Sequence, residues 1–117
     1  METIESAILP EHRDDPGTFH IIVLVKSTRK WLDLETKDRL AFLDDHVRPL
    51  LRRRPEVKVR WFEPEAFNSR ATDVLLFETK DLSAWAWICD HLRETLFWDH
   101  YFDVLKILPS LEGNYLT

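Results

Sequence analysis

The sequence predicts an α+β fold, a four-stranded antiparallel sheet with two helices on one face. Three observations carry that prediction. Phe19–Lys26 and Asp73–Thr79 are apolar at nearly every position, not at alternate ones, so each reads as a strand needing cover on both faces. Two longer segments, 33–54 and 81–96, repeat apolar residues at steps of three and four, the spacing of an amphipathic helix. The segments follow the order β-α-β-β-α-β, which right-handed crossovers close into the ferredoxin-like plan.

The elements follow in order. Residues 1–17 are polar, hold Pro10 and Pro16 and the charge run Glu11-His12-Arg13-Asp14-Asp15. They read as a flexible N-terminal arm ahead of one domain, 18–117. Strand one is Thr18–Lys26, with Phe19, Ile21, Val23 and Val25 on one side and Ile22 and Leu24 on the other. Ser27–Trp31 is a connection, and Asp33 is the expected N-cap of helix one. Leu40, Leu43, Val47, Leu50 and Leu51 form that helix's buried face. Pro49 lacks a backbone donor and crowds the preceding turn, so a kink or restart is expected near Arg48.

Strand two is Val57–Phe62, with Val57, Val59 and Trp61 on one side and Lys58, Arg60 and Phe62 on the other. Strand three is Thr72–Thr79. Asp81 caps helix two, whose stripe is Leu82, Trp85, Cys89, Leu92 and Leu96. Strand four is Tyr101–Leu108, ended by Pro109.

Such a sheet leaves one face bare. Ile22, Leu24, Phe62, Leu75 and Phe77 are the residues expected there, a patch too large to leave in water. Isologous packing of two sheets closes it, which predicts a homodimer through the open sheet face, a dimeric α/β barrel.

Composition narrows the function. At 117 residues the chain can build a core without disulfides. Its only glycines, Gly17 and Gly113, allow no Gly-rich phosphate loop. A net charge of −5 argues against nucleic acid as a partner. The one basic cluster, Arg52-Arg53-Arg54, suits a solvated helix end. The lone Cys89 is expected to be a buried structural thiol. Met1–Ser6 lacks the basic start of a signal peptide, and no run reaches membrane-spanning length. A cytoplasmic location without membrane contact is expected.

Several residue sets are similar to the darcynin family. They are Phe19-His20 with Val25-Lys26, Trp31-Leu32, Arg60-Trp61-Phe62 with Glu65-Ala66-Phe67, Asp73-Val74 with Glu78-Thr79, and Asp81-Leu82. Leu92-Arg93-Glu94-Thr95 and Tyr101-Phe102 before Pro109 continue the likeness, which covers about residues 18–112. The resemblance implies a small dimeric α/β barrel and, for the family as such, no assigned reaction. Related barrels include cofactor-independent oxygenases, haem-degrading enzymes, and cyclases or isomerases of secondary metabolism. The likeness of fold does not choose among them.

In this plan a small-molecule cavity is expected between sheet and helices. Five tryptophans mark that layer. Trp61 and Trp85 are expected to point into it, and Trp87, Phe42 and His91 to flank it, as wall for a small aromatic ligand or as plain core. His20 and His46 are candidate proton-transfer groups, since imidazole works near neutral pH. Arg60 and Asp73 are expected to pair across the hairpin. They serve either as a structural salt bridge or as an arginine that holds an enolate while the carboxylate takes a proton. No His-x-x-x-His or Glu-x-x-His pair supports a metal site, and a single axial histidine is weak support for haem. No cofactor is expected. Ser27, Ser69 and Ser83 lack a nucleophile-elbow setting. Three readings follow: a cofactor-independent oxygenase, cyclase or isomerase of secondary metabolism acting on an aromatic or polyketide-like substrate; a non-catalytic ligand-binding dimer; or a structural dimer.

Overall fold

The computed structural model describes residues 17–68, 70–113 and 115–116; the expected arm, except Gly17, and with it His12, lies outside them. Four strands, β1 (Phe19–Ser27), β2 (Lys58–Phe62), β3 (Asp73–Thr79) and β4 (Phe102–Leu111), form one sheet in the order β2-β3-β1-β4. Every neighbouring pair is antiparallel, so the ferredoxin-like plan read from the element order is the fold.

Pairing of β1 with β3 places Ile21 opposite Phe77, Val23 opposite Leu75 and Val25 opposite Asp73. All six are buried and share the helix-covered face. Leu75 and Phe77 therefore belong to the core and not to the bare face, where Val74 and Leu76 lie instead. A strand that is apolar on both sides carries no parity signal, and only its register against β1 fixes which set turns inward. Ile22, Leu24 and Phe62 do lie on the open face, beside Leu76, Val74 and Leu108.

β4 is an edge strand and runs through Pro109 to Leu111. An edge strand tolerates the missing N–H, so Pro109 does not end it. The register slips between Leu24 and Val25, a bulge that flips the parity of β4.

The first helix is a broken arm. A short turn, α1 (Arg29–Leu32), ends at Asp33, which is its C-cap and not the N-cap of the next segment. Helix α2 (Thr36–Phe42) starts from Glu35. A π-helical turn, Leu43–Val47, follows, and α3 (Arg48–Arg52) restarts with Pro49 in its first turn. Pro49 has no N–H to give the carbonyl four residues back, and first-turn donors need none. The break therefore falls where the sequence places it. Val47 faces the core, whereas Leu40 stays half exposed.

Helix α4 (Leu82–Leu92) is capped by Asp81, whose Oδ1 accepts from the N–H groups of Ser83 and Ala84. Its inward face is Ala84, Ile88, Cys89 and Leu92, one step round from the expected stripe. Trp85 sits on the flank, and Leu96 lies beyond the helix and exposed.

A tight turn after α4 puts Asp99 at φ 67°, a left-handed conformation that Asp adopts more readily than most residues. Its N–H donates to the Phe102 carbonyl at 2.8 Å. The turn folds Phe97 back onto Phe102, with ring centroids 4.7 Å apart.

Candidate functional site

A cavity of about 210 Å³ lies between the helical arm and the β2–β3 half of the sheet. The π-helical turn supplies Leu43 and Val47, and α3 adds Arg48 and Leu51. The opposite wall is Val59 and Trp61 of β2 with Leu75 and Phe77 of β3. Leu92 and Phe97 close one end. π-Turns inside helices are frequent at functional sites, and this one turns two apolar side chains toward the sheet.

Trp61 is the aromatic anchor of the wall. Its ring meets Phe102 and Phe97 edge-on, at 5.7 and 6.3 Å. Its Nε1–H donates to Asp73 Oδ1 at 2.8 Å. Asp73 Oδ2 accepts from the Thr72 hydroxyl at 2.7 Å, and Thr72 Oγ1 accepts from the Ser27 N–H at 2.7 Å. A buried carboxylate thus fixes the indole plane through a chain that reaches β1. Because β2 is an edge strand, Trp61 keeps 37% of its surface exposed and forms part of the rim.

Arg48 is the one charged residue in the described lining. Its Nε–H donates to Asp44 Oδ1 at 2.6 Å, one helical turn earlier. Nothing in the sequence pattern singled it out, because an arginine beside Pro49 reads as a helix restart.

The other expected site residues are dispersed. His20 is on the open sheet face, its Nε2 3.8 Å from Glu78. Arg60 also faces outward, its guanidinium 5.0 Å from the Phe62 ring. It therefore does not pair with Asp73, which points to the opposite face. Phe42 packs between Trp31, Tyr101 and His46 in a separate aromatic cluster. Trp85 meets Phe77 edge-on at 6.1 Å, and its buried Nε1–H has no partner among the described residues. Trp87 is stacked on His91 at 3.9 Å and sits under Arg54, also at 3.9 Å, on the outer side of α4. Of the expected residues only Trp61 lines the cavity.

Cys89 is buried, and burial pushes its thiol up to about 12, which makes it inert as a nucleophile. Among the described residues no group of three His, Cys, Asp or Glu side chains gathers to hold a metal. None of the described histidines lines the cavity, so it offers haem no axial nitrogen. No described helix is long and apolar enough to cross a membrane.

Fold and cavity together define a ferredoxin-like α+β domain with an apolar pocket beneath its helices. The family model of Darcynin, a domain of unknown function, matches residues 1–117, and the chain belongs to that family. The match takes in the N-terminal segment that the residue likeness left out. A Darcynin homolog of Streptomyces avermitilis is 37% identical over 106 residues, covering 90% of this chain and 86% of its own. A Darcynin homolog of Granulibacter bethesdensis is 34% identical over 96 residues, 81% of this chain and 77% of its own.

Among solved structures, a variant chlorite dismutase from Candidatus Nitrospira defluvii superposes with a TM-score of 0.68 at 14% identity. The superposition covers 91% of this chain and 46% of that one. The same enzyme in complex with imidazole gives 0.68 at 14% identity over 86% and 42%. This chain spans less than half the length of those structures, and the likeness is one of fold.

Proposed function

We propose that this protein binds a small, mostly apolar aromatic molecule in the cavity under its helical arm. One observation carries the reading. Trp61, Phe77 and Phe97 wall a space between the helical arm and the sheet, and Trp61 is held in orientation by a buried carboxylate. Apolar walls with few placed polar groups are the usual make-up of small-ligand sites. The volume, below the about 300–1,000 Å³ common for drug-sized ligands, suits a molecule of one or two rings.

Binding is favoured over the oxygenase, cyclase or isomerase reading. An acid or base must come within hydrogen-bond reach of the substrate, and His20, His46, Arg60 and Asp73 are not in the lining. We further propose that the protein works as a homodimer. Ile22, Leu24, Phe62, Val74, Leu76 and Leu108 make the open sheet face apolar, and a second copy is the self-complementary cover for it.

Titration with naphthalene-sized aromatics, followed by calorimetry and tryptophan fluorescence, tests the binding reading. A saturable site is expected in the full chain, and Val47→Phe is expected to abolish it while the circular dichroism spectrum is kept. No saturation with any planar aromatic, or undiminished binding in a folded Val47→Phe variant, overturns it.

A further inference from the structure

We propose that the ligand of this cavity is a small aromatic carboxylate, whose carboxylate is received by Arg48 at the rim. The inference rests on the cavity being a ligand site and adds the chemical class of its occupant. Around the cavity nine of the ten lining side chains are apolar, and Arg48 is the exception. A cation on an otherwise apolar wall is the mark of a ligand with one anionic end and one greasy end.

The state of Arg48 strengthens the assignment. A guanidinium has five donors in a planar fork. Asp44 takes the Nε–H at 2.6 Å and anchors the group along its inner edge. No hydrogen bond among the described residues engages the two Nη atoms. The end-on edge, which matches the two oxygens of a carboxylate, is therefore available and held in place. Arg48 keeps 53% of its side-chain surface exposed, so the carboxylate stays partly hydrated at the mouth. The ring lies deeper, against Trp61 and Phe97.

The apolar walls set the other half of the specificity. An inorganic anion would gain Arg48 alone, at a half-exposed site where a single charge pair is worth little. A neutral arene would gain only the walls. The combination of aryl and carboxylate uses both. Asp44 repels a second negative charge brought near it, which favours a monoanion over a polyphosphate.

The test uses 1-naphthoate, its neutral isostere 1-naphthamide, and inorganic phosphate, each titrated by calorimetry into the full chain. Wild type is expected to bind naphthoate about three- to fivefold more tightly than naphthamide, in keeping with one half-exposed charge pair, and phosphate without detectable heat. Arg48→Gln is expected to erase the preference, so that acid and amide bind this variant equally. Arg48→Lys is expected to keep part of it, since ammonium supplies charge without the fork. Equal binding of acid and amide by wild type, or an acid preference that survives Arg48→Gln, overturns the carboxylate assignment and leaves the cavity reading standing. Failure of both aromatics to bind overturns both.

Discussion

Trp61 and Asp73, on adjacent antiparallel strands, are joined by a 2.8 Å hydrogen bond from the indole Nε1–H to the carboxylate. The same carboxylate accepts from Thr72, whose Oγ1 in turn accepts from the Ser27 N–H. One acidic side chain thereby ties an edge strand to the middle of the sheet and sets the angle of the cavity's aromatic wall. Removing it with Asp73→Ala is expected to lower stability by about 2 kcal/mol, the value of a hydrogen bond with one charged partner. In a double-mutant cycle with Trp61→Phe the coupling is expected to be about 1–2 kcal/mol. Urea denaturation of the four proteins measures both. Additive losses would mean that the bond holds nothing together.

Phe97 offers a second check on the same wall. It is 2% exposed, packs on Phe102 and borders the cavity. Phe97→Ala merges the deleted ring volume with existing empty space, so neighbouring groups gain little by moving in. A loss of about 3–5 kcal/mol is expected, a large share of the stability of any small domain. A loss near 1 kcal/mol would show that the walls collapse freely, and a collapsible cavity is a poor ligand site.

How far the sequence revealed this site depends on the element. Strand parity was legible for β2, where alternation sends Val59 and Trp61 inward and Arg60 outward. Asp73 shares the face of Leu75 and Phe77, so its expected pairing with Arg60 fell only when the register against β1 turned that set inward. On β3 apolar residues occupy both faces, and Leu75 and Phe77 could be placed only through their partners on β1. On the helical arm Leu43, Val47 and Leu51 were legible as inward residues. That they line a cavity as well as packing on the core was not legible, because the π-turn that carries Leu43 and Val47 is a backbone feature with no side-chain signature beyond Pro49.

The aromatic residues show the limit most clearly. Trp85 and Trp87 fall near the apolar stripe of α4, and spacing alone does not say which side of the stripe packs. Ala84 and Ile88 take the inner positions, and the indoles are left to the flanks. Phe97, by contrast, read as a loop residue. It became part of the site only because Asp99 adopts a left-handed conformation and turns the chain back.

The open sheet face yields a prediction about assembly. Leu76 lies mid-strand, opposite Ile22 on one side and Arg60 on the other. A lysine there adds a charge at the centre of the proposed contact and touches nothing in the core. Leu76→Lys is expected to halve the mass seen by light scattering at micromolar concentration, with the circular dichroism spectrum retained. A wild-type mass equal to one chain would end the dimer proposal.

Asp81 links helix α4 to pH. The Ser83 hydroxyl, at 2.6 Å, and then the Ala84 N–H stabilise its ionised form and hold its carboxyl below the ordinary value of 3.8. A lowered folded-state pKa gives stability that is present above the unfolded value and lost as pH falls through the folded one. The wild type is therefore expected to melt several degrees above Asp81→Ala at pH 7, with the gap closing below about pH 4. Asp81→Asn keeps a capping acceptor and is expected to keep much of the gap without that acid dependence. Thermal melts between pH 2.5 and 7 give the comparison, and a gap constant with pH would assign the effect to something other than the carboxylate.

Cys89 makes the opposite pH prediction at the alkaline end. Its thiol is packed against the core side of α4, and burial raises its pKa from 9.0 to about 12, with Arg93 opposing the shift only in part. Above pH 9 the unfolded chain releases this proton and the folded chain does not, so the folded state binds more protons and stability falls as pH rises toward 12. Lysines and tyrosines also titrate there, and a reference variant removes their contribution. The stability of wild type minus that of Cys89→Ala is expected to be constant from pH 6 to about 8.5 and to shrink steadily above it. In the same range the native thiol is expected to react with a disulfide reagent only as fast as the fold opens, and at full speed in denaturant. A native thiol as reactive as the denatured one at pH 8 would mean that the helix does not shield it, and the inward face of α4 would have to be redrawn.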